Sequence, residues 1–168
     1  MKKNILEGFS LIELMLVIAI VGIIVSLALT NMGFLNRSIL RSELDKLYAT
    51  CMYAQKIAMV TNKKQIVTFD IAKRMYSFNG AKVVLPQSIN FGFLPGTNGP
   101  PSAPNNSITS PITFAKHQIT FSPNSIVQSG TVYLVDEHKN SMYALSSPIA
   151  QVSFLRKYRF DKKWILIG

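Results

Sequence analysis

The chain has 168 residues, 48% of them hydrophobic, and a formal net charge of +10. This length suggests one domain of ordinary size, and a single cysteine, Cys51, excludes an intramolecular disulfide. The basic excess indicates either a solvated basic surface or attraction to anionic partners. His117, His138 and Cys51 lack zinc-chelating spacing, and the chain has no phosphate loop or nucleophile elbow. We therefore expect no enzyme activity, no cofactor and no metal site.

The chain begins with a short basic leader, MKKNILEG, followed by an apolar run in which Glu13 is the one charged residue between Gly8 and Asn36. About 20 helical residues cross a hydrocarbon core of roughly 30 Å. The run therefore predicts a membrane-spanning helix over residues 9–34. A secretory signal would instead have a shorter apolar stretch with a small-residue cleavage site after it.

Glu13 is an unusual residue for such a helix, because a carboxylate is costly in lipid and by default marks a function with a partner. A free N-terminal amine would be a suitable partner. Cleavage after Gly8 would place a new ammonium group on Phe9, four residues before Glu13. In a bundle of identical helices, the amine of one copy could meet the carboxylate of its neighbour. The alternative is an uncleaved signal anchor, oriented by Lys2 and Lys3.

An amphipathic helix is predicted over residues 35–62, because apolar residues recur there at alternating spacings of four and three. They are Leu40, Leu44, Leu47, Cys51, Ala54 and Ala58. The charged residues beside this stripe predict solvated faces, and they are Arg37, Arg41, Glu43, Asp45, Lys46 and Lys56. Asn62 predicts the end of the helix, because asparagine tolerates a left-handed cap.

Residues 63–168 change to a period of two with frequent turn residues, which predicts antiparallel strands. QIVTFDI and RMYSFN predict a hairpin. Further candidates are KVVL, SINFGF, ITFA, QITF, TVYLVD, SMYAL, IAQVSFL and KKWILI. A long helix followed only by strands predicts an α+β fold with the helix packed on one sheet. Residues 93–111 have five prolines and predict a flexible loop, either disordered or in contact with a partner.

The C-terminal stretch RKYRFDKKW interleaves cations with aromatic side chains. Non-specific nucleic-acid binding uses cations for phosphate and aromatic rings for stacking. One interpretation is therefore a DNA-contacting surface, whose candidate residues are Arg156, Lys157, Tyr158, Arg159, Lys162 and Lys163. The other interpretation is a pair of strands with the aromatic side chains turned inward and the cations outward.

The segment GFSLIELMLVIAIVGI, residues 8–23, resembles the class III signal of type IV pilins and type II secretion pseudopilins. The matching features are the basic leader, the glycine before the cut, the phenylalanine after it and the glutamate at the fifth mature position. The resemblance implies that a prepilin peptidase removes residues 1–8 by cutting between Gly8 and Phe9, and methylates the new N-terminus. It also implies that the apolar helix packs into a filament core, where Glu13 registers each subunit against its neighbour.

Two further segments, VVLPQSINFGF and residues 119–160, resemble minor pseudopilins of the GspH/FimT type. This implies a pilin-like fold, anchored once in the bacterial inner membrane with a periplasmic β-rich domain over residues 63–168. The implied function is initiating or capping a type II secretion pseudopilus or a type IV pilus. The implied partners are the prepilin peptidase, other pilin or pseudopilin subunits and the inner membrane. Some members bind DNA during natural transformation, so a DNA-binding minor pilin is one alternative and an ordinary anchored periplasmic domain is another.

Overall fold

The computed structural model of the chain describes residues 10–30, 32–99, 102–148 and 154–167, without the side chains of residues 27–34. The chain divides into two compact units, Met1–Leu35 and Asn36–Gly168. Helix α1 is Leu11–Thr30 and helix α2 is Met32–Thr61. Neither helix, judged on these described residues, is long and apolar enough to cross a membrane. The membrane-spanning helix expected over residues 9–34 stays a prediction.

The predicted stripe of α2 is confirmed, because its six members are at most 1% exposed. The predicted end is also confirmed, since α2 stops at Thr61 and Asn62 has a φ of 51° in the left-handed region. Small residues occupy the later stripe positions, Cys51, Ala54 and Ala58, where the helix can approach the strands closely.

Glu43 is an exception to the predicted solvated faces of α2, because it is only 3% exposed. Its carboxylate accepts a hydrogen bond from Lys46 Nζ at 2.6 Å, which offsets part of the free-energy cost of burying the charge. Tyr76 lies close by on β2, where burial raises the pKa of its phenol, a hydrogen bond with Thr50 lowers it, and the Glu43 carboxylate raises it. The stripe therefore underestimates the buried width of α2, since the strands also cover one flank of the helix.

The described residues form nine strands. They are β1 Gln65–Asp70, β2 Met75–Phe78, β3 Ala81–Val84, β4 Ile89–Phe91, β5 Gln118–Phe121, β6 Gly130–Asp136, β7 Met142–Ser147, β8 Arg156–Asp161 and β9 Lys163–Ile167. Sheet A has the order β3-β2-β1-β5 and sheet B the order β4-β6-β7-β8-β9, and all of the pairings are antiparallel. The α+β arrangement is therefore present, with two sheets where one was expected.

Most predicted strands are present, and the β1–β2 hairpin pairs Val67 with Phe78 and Asp70 with Met75. ITFA was wrong as a strand, since Ile112 makes only an isolated bridge to Val132. Most of IAQVSFL, at residues 149–153, lies outside the described residues. β8 is the first strand of the two-strand interpretation of RKYRFDKKW, and its antiparallel pairing with β9 confirms that part of the interpretation.

Both sheets share one core with α2. Alternate residues of each strand point to the same side, so every second side chain meets the helix stripe. Sheet A contributes Val67, Phe69, Tyr76, Phe78, Ile119 and Phe121, and sheet B contributes Ile89, Phe91, Val132, Leu134, Tyr143 and Leu145. α2 is thus held by side chains from six strands, which fixes its position within the second unit.

A second core lies on the opposite face of sheet B. Tyr133, Met142 and Ala144 are buried there together with Ile108, which comes from the 93–111 segment. Trp164 of β9 donates a hydrogen bond from Nε1 to the Asn98 carbonyl at 2.9 Å. Phe93, Leu94 and Ile108 of the 93–111 segment therefore pack on this core, and the flexibility that the composition predicts stays a prediction. The apolar residues of the segment anchor it despite its prolines.

Tyr133 makes the stability of the chain sensitive to alkaline pH. Burial raises the pKa of Tyr133 from 10.0 to about 12. The contribution of the neutral Tyr133 phenol to the free energy of unfolding is fully present below the pKa of the unfolded state. It is lost as the pH rises through the pKa of the folded state, by up to about 1.4 kcal/mol per pH unit. We expect Tyr133→Phe to remove this loss, so that its free energy of unfolding falls about 1 kcal/mol less than that of the wild type between about pH 9 and 11.

Urea denaturation of both proteins at several pH values in this range would measure the difference. Parallel stability curves for the wild type and Tyr133→Phe would contradict the role of this phenol.

Candidate functional site

The start of α1 carries the first set of predicted site residues. Gly8 and Phe9 lie outside the described residues, whereas Glu13 lies in the first helical turn. Ser10 precedes the helix: its Oγ accepts a hydrogen bond from the Ile12 amide at 3.3 Å, and its carbonyl accepts one from the Glu13 amide at 3.0 Å. Serine is a preferred N-cap, and a carboxylate is favoured in the first turn by the helix dipole.

Between residues 14 and 25, α1 presents apolar side chains in all directions. Over residues 11–26 every side chain is exposed, and the large apolar ones are between 46% and 75% exposed. A helix that is apolar all round is normally covered by other helices or by lipid. Glu13 is the only ionisable side chain among residues 11–26. Any apolar environment that covers α1 would therefore also surround this carboxylate.

The C-terminal basic residues lie on β8, β9 and the turn that joins them. Within β8, Lys157 and Arg159 share the side that faces α2, because they pair with Leu145 and Tyr143 of the shared core. Tyr158 lies on the other side and packs on the second core. Lys162 and Lys163 are exposed at the turn, where Lys162 has a φ of 56°. The six residues therefore do not form one continuous surface.

Lys157 contacts two residues of α2. Its Nζ lies 2.7 Å from Asp45 Oδ1 and 5.0 Å from the centre of the Tyr48 ring, and its side chain is only 14% exposed. An ion pair with one partner so far removed from solvent is weakly screened by salt. The two-strand interpretation predicted cations turned outward, and Lys157 is an exception to it. The aromatic residues Tyr158, Phe160 and Trp164 do turn toward a core, as that interpretation expected.

The remaining cations differ in their surroundings. Arg156 lies 4.6 Å from the Phe154 ring centre, and Arg159 lies 3.6 Å from Asp161. Lys162 and Lys163 border an open cleft of about 480 Å³ between the 93–111 segment and the β8–β9 turn, which also exposes Trp164. Only these two lysines combine free exposure with a neighbouring aromatic ring in a cleft.

Sequence reasoning missed the contact between Asp45 and Lys157 because the two residues are 112 positions apart. Local spacing indicated only that Asp45 lies beside the apolar stripe. Cys51 is buried, and burial raises the pKa of its thiol far above the ordinary value, so it is held as an unreactive thiol. Within the described ranges, no three His, Cys, Asp or Glu side chains are grouped to hold a metal ion.

Comparison of the chain with models of known protein families, with curated proteins and with solved structures found no match. The functional interpretation therefore depends on the N-terminal motif and on the geometry of the described residues.

Proposed function

We propose that the chain is a minor pseudopilin, a structural subunit that initiates or caps a type II secretion pseudopilus or a type IV pilus. The observation that carries this proposal is the position of Glu13. It lies in the first turn of an otherwise apolar helix, five residues after Gly8 of the prepilin-type motif. A helix that served only as an anchor would gain nothing from a carboxylate at this position.

In this proposal Glu13 acquires its partner by processing. Cleavage between Gly8 and Phe9 by the prepilin peptidase creates a methylated ammonium group at the N-terminus. When α1 packs against the α1 helices of other subunits, that ammonium pairs with the Glu13 carboxylate of a neighbour. An unpaired charge is strongly disfavoured in an apolar bundle, so helices offset by one step would be rejected. The ion pair thus specifies the register of assembly.

The two units would then have separate tasks. α1 would first hold the subunit in the inner membrane, and its exposed apolar surface would later be buried in the filament core. The second unit would lie in the periplasm, where α2 and the two sheets form a packed body without a disulfide. The division of the chain into two compact units supports these separate tasks. The pilin-like character of the fold belongs to the proposal.

The test is Glu13→Gln, which removes the charge and keeps the size of the side chain. We expect normal cleavage and N-methylation, because the cleavage site is unchanged, but at least about a ten-fold loss of incorporation into filaments, equivalent to one charge-assisted contact. Mass spectrometry would identify the mature N-terminus. Immunoblots of the sheared filament fraction would measure incorporation.

The matched control is Glu137→Gln, which removes an exposed carboxylate after β6. It should be incorporated like the wild type. Wild-type incorporation of Glu13→Gln would refute the role of Glu13. An N-terminus that still begins with residues 1–8 in the wild type would instead favour the ordinary anchored domain.

The DNA-binding alternative has less support from the geometry. Lys157 is paired with Asp45, and Arg159 lies beside Asp161, so these two cations are partly neutralised. The remaining exposed candidates near an aromatic ring are Arg156, beside Phe154, and the turn lysines Lys162 and Lys163. The minor pseudopilin is therefore the function that we retain.

A further inference from the structure

β3 forms one edge of sheet A, since it pairs with β2 and with no other strand among the described residues. Directly after β3, the Leu85 amide donates to the Arg74 carbonyl, directly before β2, at 2.8 Å. In an antiparallel ladder, the backbone groups of successive residues point to alternate sides. Leu85 and every second residue before it therefore bond toward β2. Lys82 and Val84 direct their N–H and C=O groups away from β2, to the open edge.

An apolar groove of about 380 Å³ lies beside this edge, between α2 and the hairpin of β2 and β3. α2 contributes Ala49 and Tyr53 to its lining, β2 contributes Phe78, and β3 contributes Ala81 and Val83. None of the groove's lining residues is charged. The Tyr53 ring is edge-on to the Phe78 ring, with centroids 5.9 Å apart, yet Tyr53 is 58% exposed. An exposed apolar surface of this kind is typical of a binding site.

The free edge and the groove together suit an extended peptide. Sheets bind such peptides by adding them as a further strand, whose backbone bonds to the edge and whose alternate side chains enter pockets beside it. A strand added to β3 would lie about 4.8 Å from it, next to the opening of the groove. The backbone groups of the edge and the side chains of the groove are two separate features, and both fit the same occupant.

Lys82 indicates the chemistry of that occupant. Ala81 and Val83 face the groove, so Lys82, which lies between them, points to the opposite face of the sheet, where it is exposed. In an antiparallel added strand, the residue opposite Lys82 would share its face, and the two neighbours of that residue would point into the groove. Opposite charges on facing residues of two strands attract. The edge therefore matches an acidic residue between two apolar ones.

A second copy of β3 does not match this edge. Its own sequence places Lys82 between Ala81 and Val83, so an antiparallel pair centred on Lys82 would set two lysines opposite each other. Like charges at facing positions are destabilising, and lysine on an edge strand is a common protection against pairing of identical chains. Lys82 thus disfavours self-association and favours an acidic partner.

From the free backbone groups, the apolar groove and the position of Lys82, we infer that β3 binds an extended segment of another protein as an added antiparallel strand. The segment has an acidic residue opposite Lys82 and apolar residues on both sides of it. The inference goes beyond the proposed filament function and does not depend on it, because neither α1 nor Glu13 takes part.

The test is an NMR titration of the full chain, labelled with ¹⁵N and kept in detergent micelles. The probe is the acidic peptide Thr-Val-Glu-Val-Thr, blocked at both ends. We expect saturable shifts of the Lys82 and Val84 amides, which gain hydrogen bonds. The amides of Ala81 and Val83 should shift less, since they already bond toward β2.

Two control peptides separate the groove from the edge. The reordered peptide Val-Thr-Glu-Thr-Val has the same composition and charge but directs threonine into the groove. We expect it to bind about ten-fold more weakly, because apolar contact is lost at two positions. The acidic peptide with an N-methylated glutamate lacks the N–H that donates to the Lys82 carbonyl, and it should bind at least about ten-fold more weakly.

Lys82→Glu tests the charge pair. It should weaken binding of the acidic peptide about ten-fold, since an attraction becomes a repulsion, and it should bind the basic peptide Thr-Val-Lys-Val-Thr better than the wild type does. The exchange of preference shows that the variant is folded. Lys139→Glu is the matched control, because Lys139 is exposed on the turn between β6 and β7. It should bind the acidic peptide like the wild type.

Three results would overturn the inference. The first is the absence of saturable shifts at Lys82 and Val84, and the second is equal binding of the acidic and reordered peptides. The third is an equal effect of Lys82→Glu and Lys139→Glu. Shifts of the Lys82 and Val84 amides that depend on protein concentration without any peptide would assign the edge to a second copy and would also refute the inference.

Discussion

Replacing Leu44 with alanine is expected to lower the free energy of unfolding by about 3 kcal/mol. Leu44 is fully buried in the core that α2 shares with both sheets. Its removal would cost the transfer free energy of the lost atoms and would also leave a cavity, because side chains from two sheets surround the site and cannot all move inward. The expected loss is a large part of the stability of an ordinary domain.

The matched control is Leu35→Ala, on the same helix, where the side chain is 57% exposed. We expect a change within about 0.5 kcal/mol, as for most surface substitutions. Urea denaturation followed by circular dichroism would compare the two variants with the wild type. A loss for Leu44→Ala no larger than that for Leu35→Ala would contradict the packing of α2 in the core that both sheets share.

Replacing Trp164 with alanine is expected to release the 93–111 segment from sheet B and to cost about 2 to 3 kcal/mol. The indole ring lies 5.2 Å from the Phe160 ring and 5.9 Å from the Tyr133 ring, measured between centroids. Its Nε1 also donates to the Asn98 carbonyl at 2.9 Å. A Cβ atom at Gly99 would lie only 2.9 Å from Nε1, so the segment approaches the ring too closely for a larger residue at that position.

Hydrogen exchange would measure the release. The Gly99 amide donates to the Asn106 carbonyl at 2.8 Å and closes the segment on itself. In Trp164→Ala we expect this amide to exchange about 30-fold faster, the factor that corresponds to about 2 kcal/mol of local opening.

Trp164→Phe separates the ring from the hydrogen bond, since phenylalanine retains an aromatic ring and has no Nε1. It should give an intermediate rate. Unchanged exchange at Gly99 in Trp164→Ala would show that the segment does not depend on this anchor.

The helices could be predicted from the sequence because the patterns that specify them lie within short stretches of the chain. Spacings of three and four identified the buried stripe of α2, and Asn62 marked its end through its tolerance of a left-handed conformation. The hairpin of β1 and β2 was readable for a similar reason, since a short turn joins two alternating segments. The front motif with Glu13 is likewise a local pattern, and the proposed function rests on it.

Other features depend on contacts between distant parts of the chain, which local patterns do not encode. The division of the strands into two sheets follows from which strands pair across the long 93–111 segment. Glu43 is buried because strands cover a flank that helical spacing marks as polar. Lys157 meets Asp45, and the 93–111 segment is anchored by Trp164, through contacts more than 60 positions apart.

The local pattern of the chain thus specifies an apolar first helix, an amphipathic second helix and an α+β body, because each depends on neighbouring residues and their periodicity. Tertiary packing specifies which charged side chains are available, because a cation is neutralised only by the carboxylate that folding places beside it. The same packing brings Arg37 and Arg159, 122 positions apart in the chain, to one cavity. No pattern in the linear sequence marks that cavity.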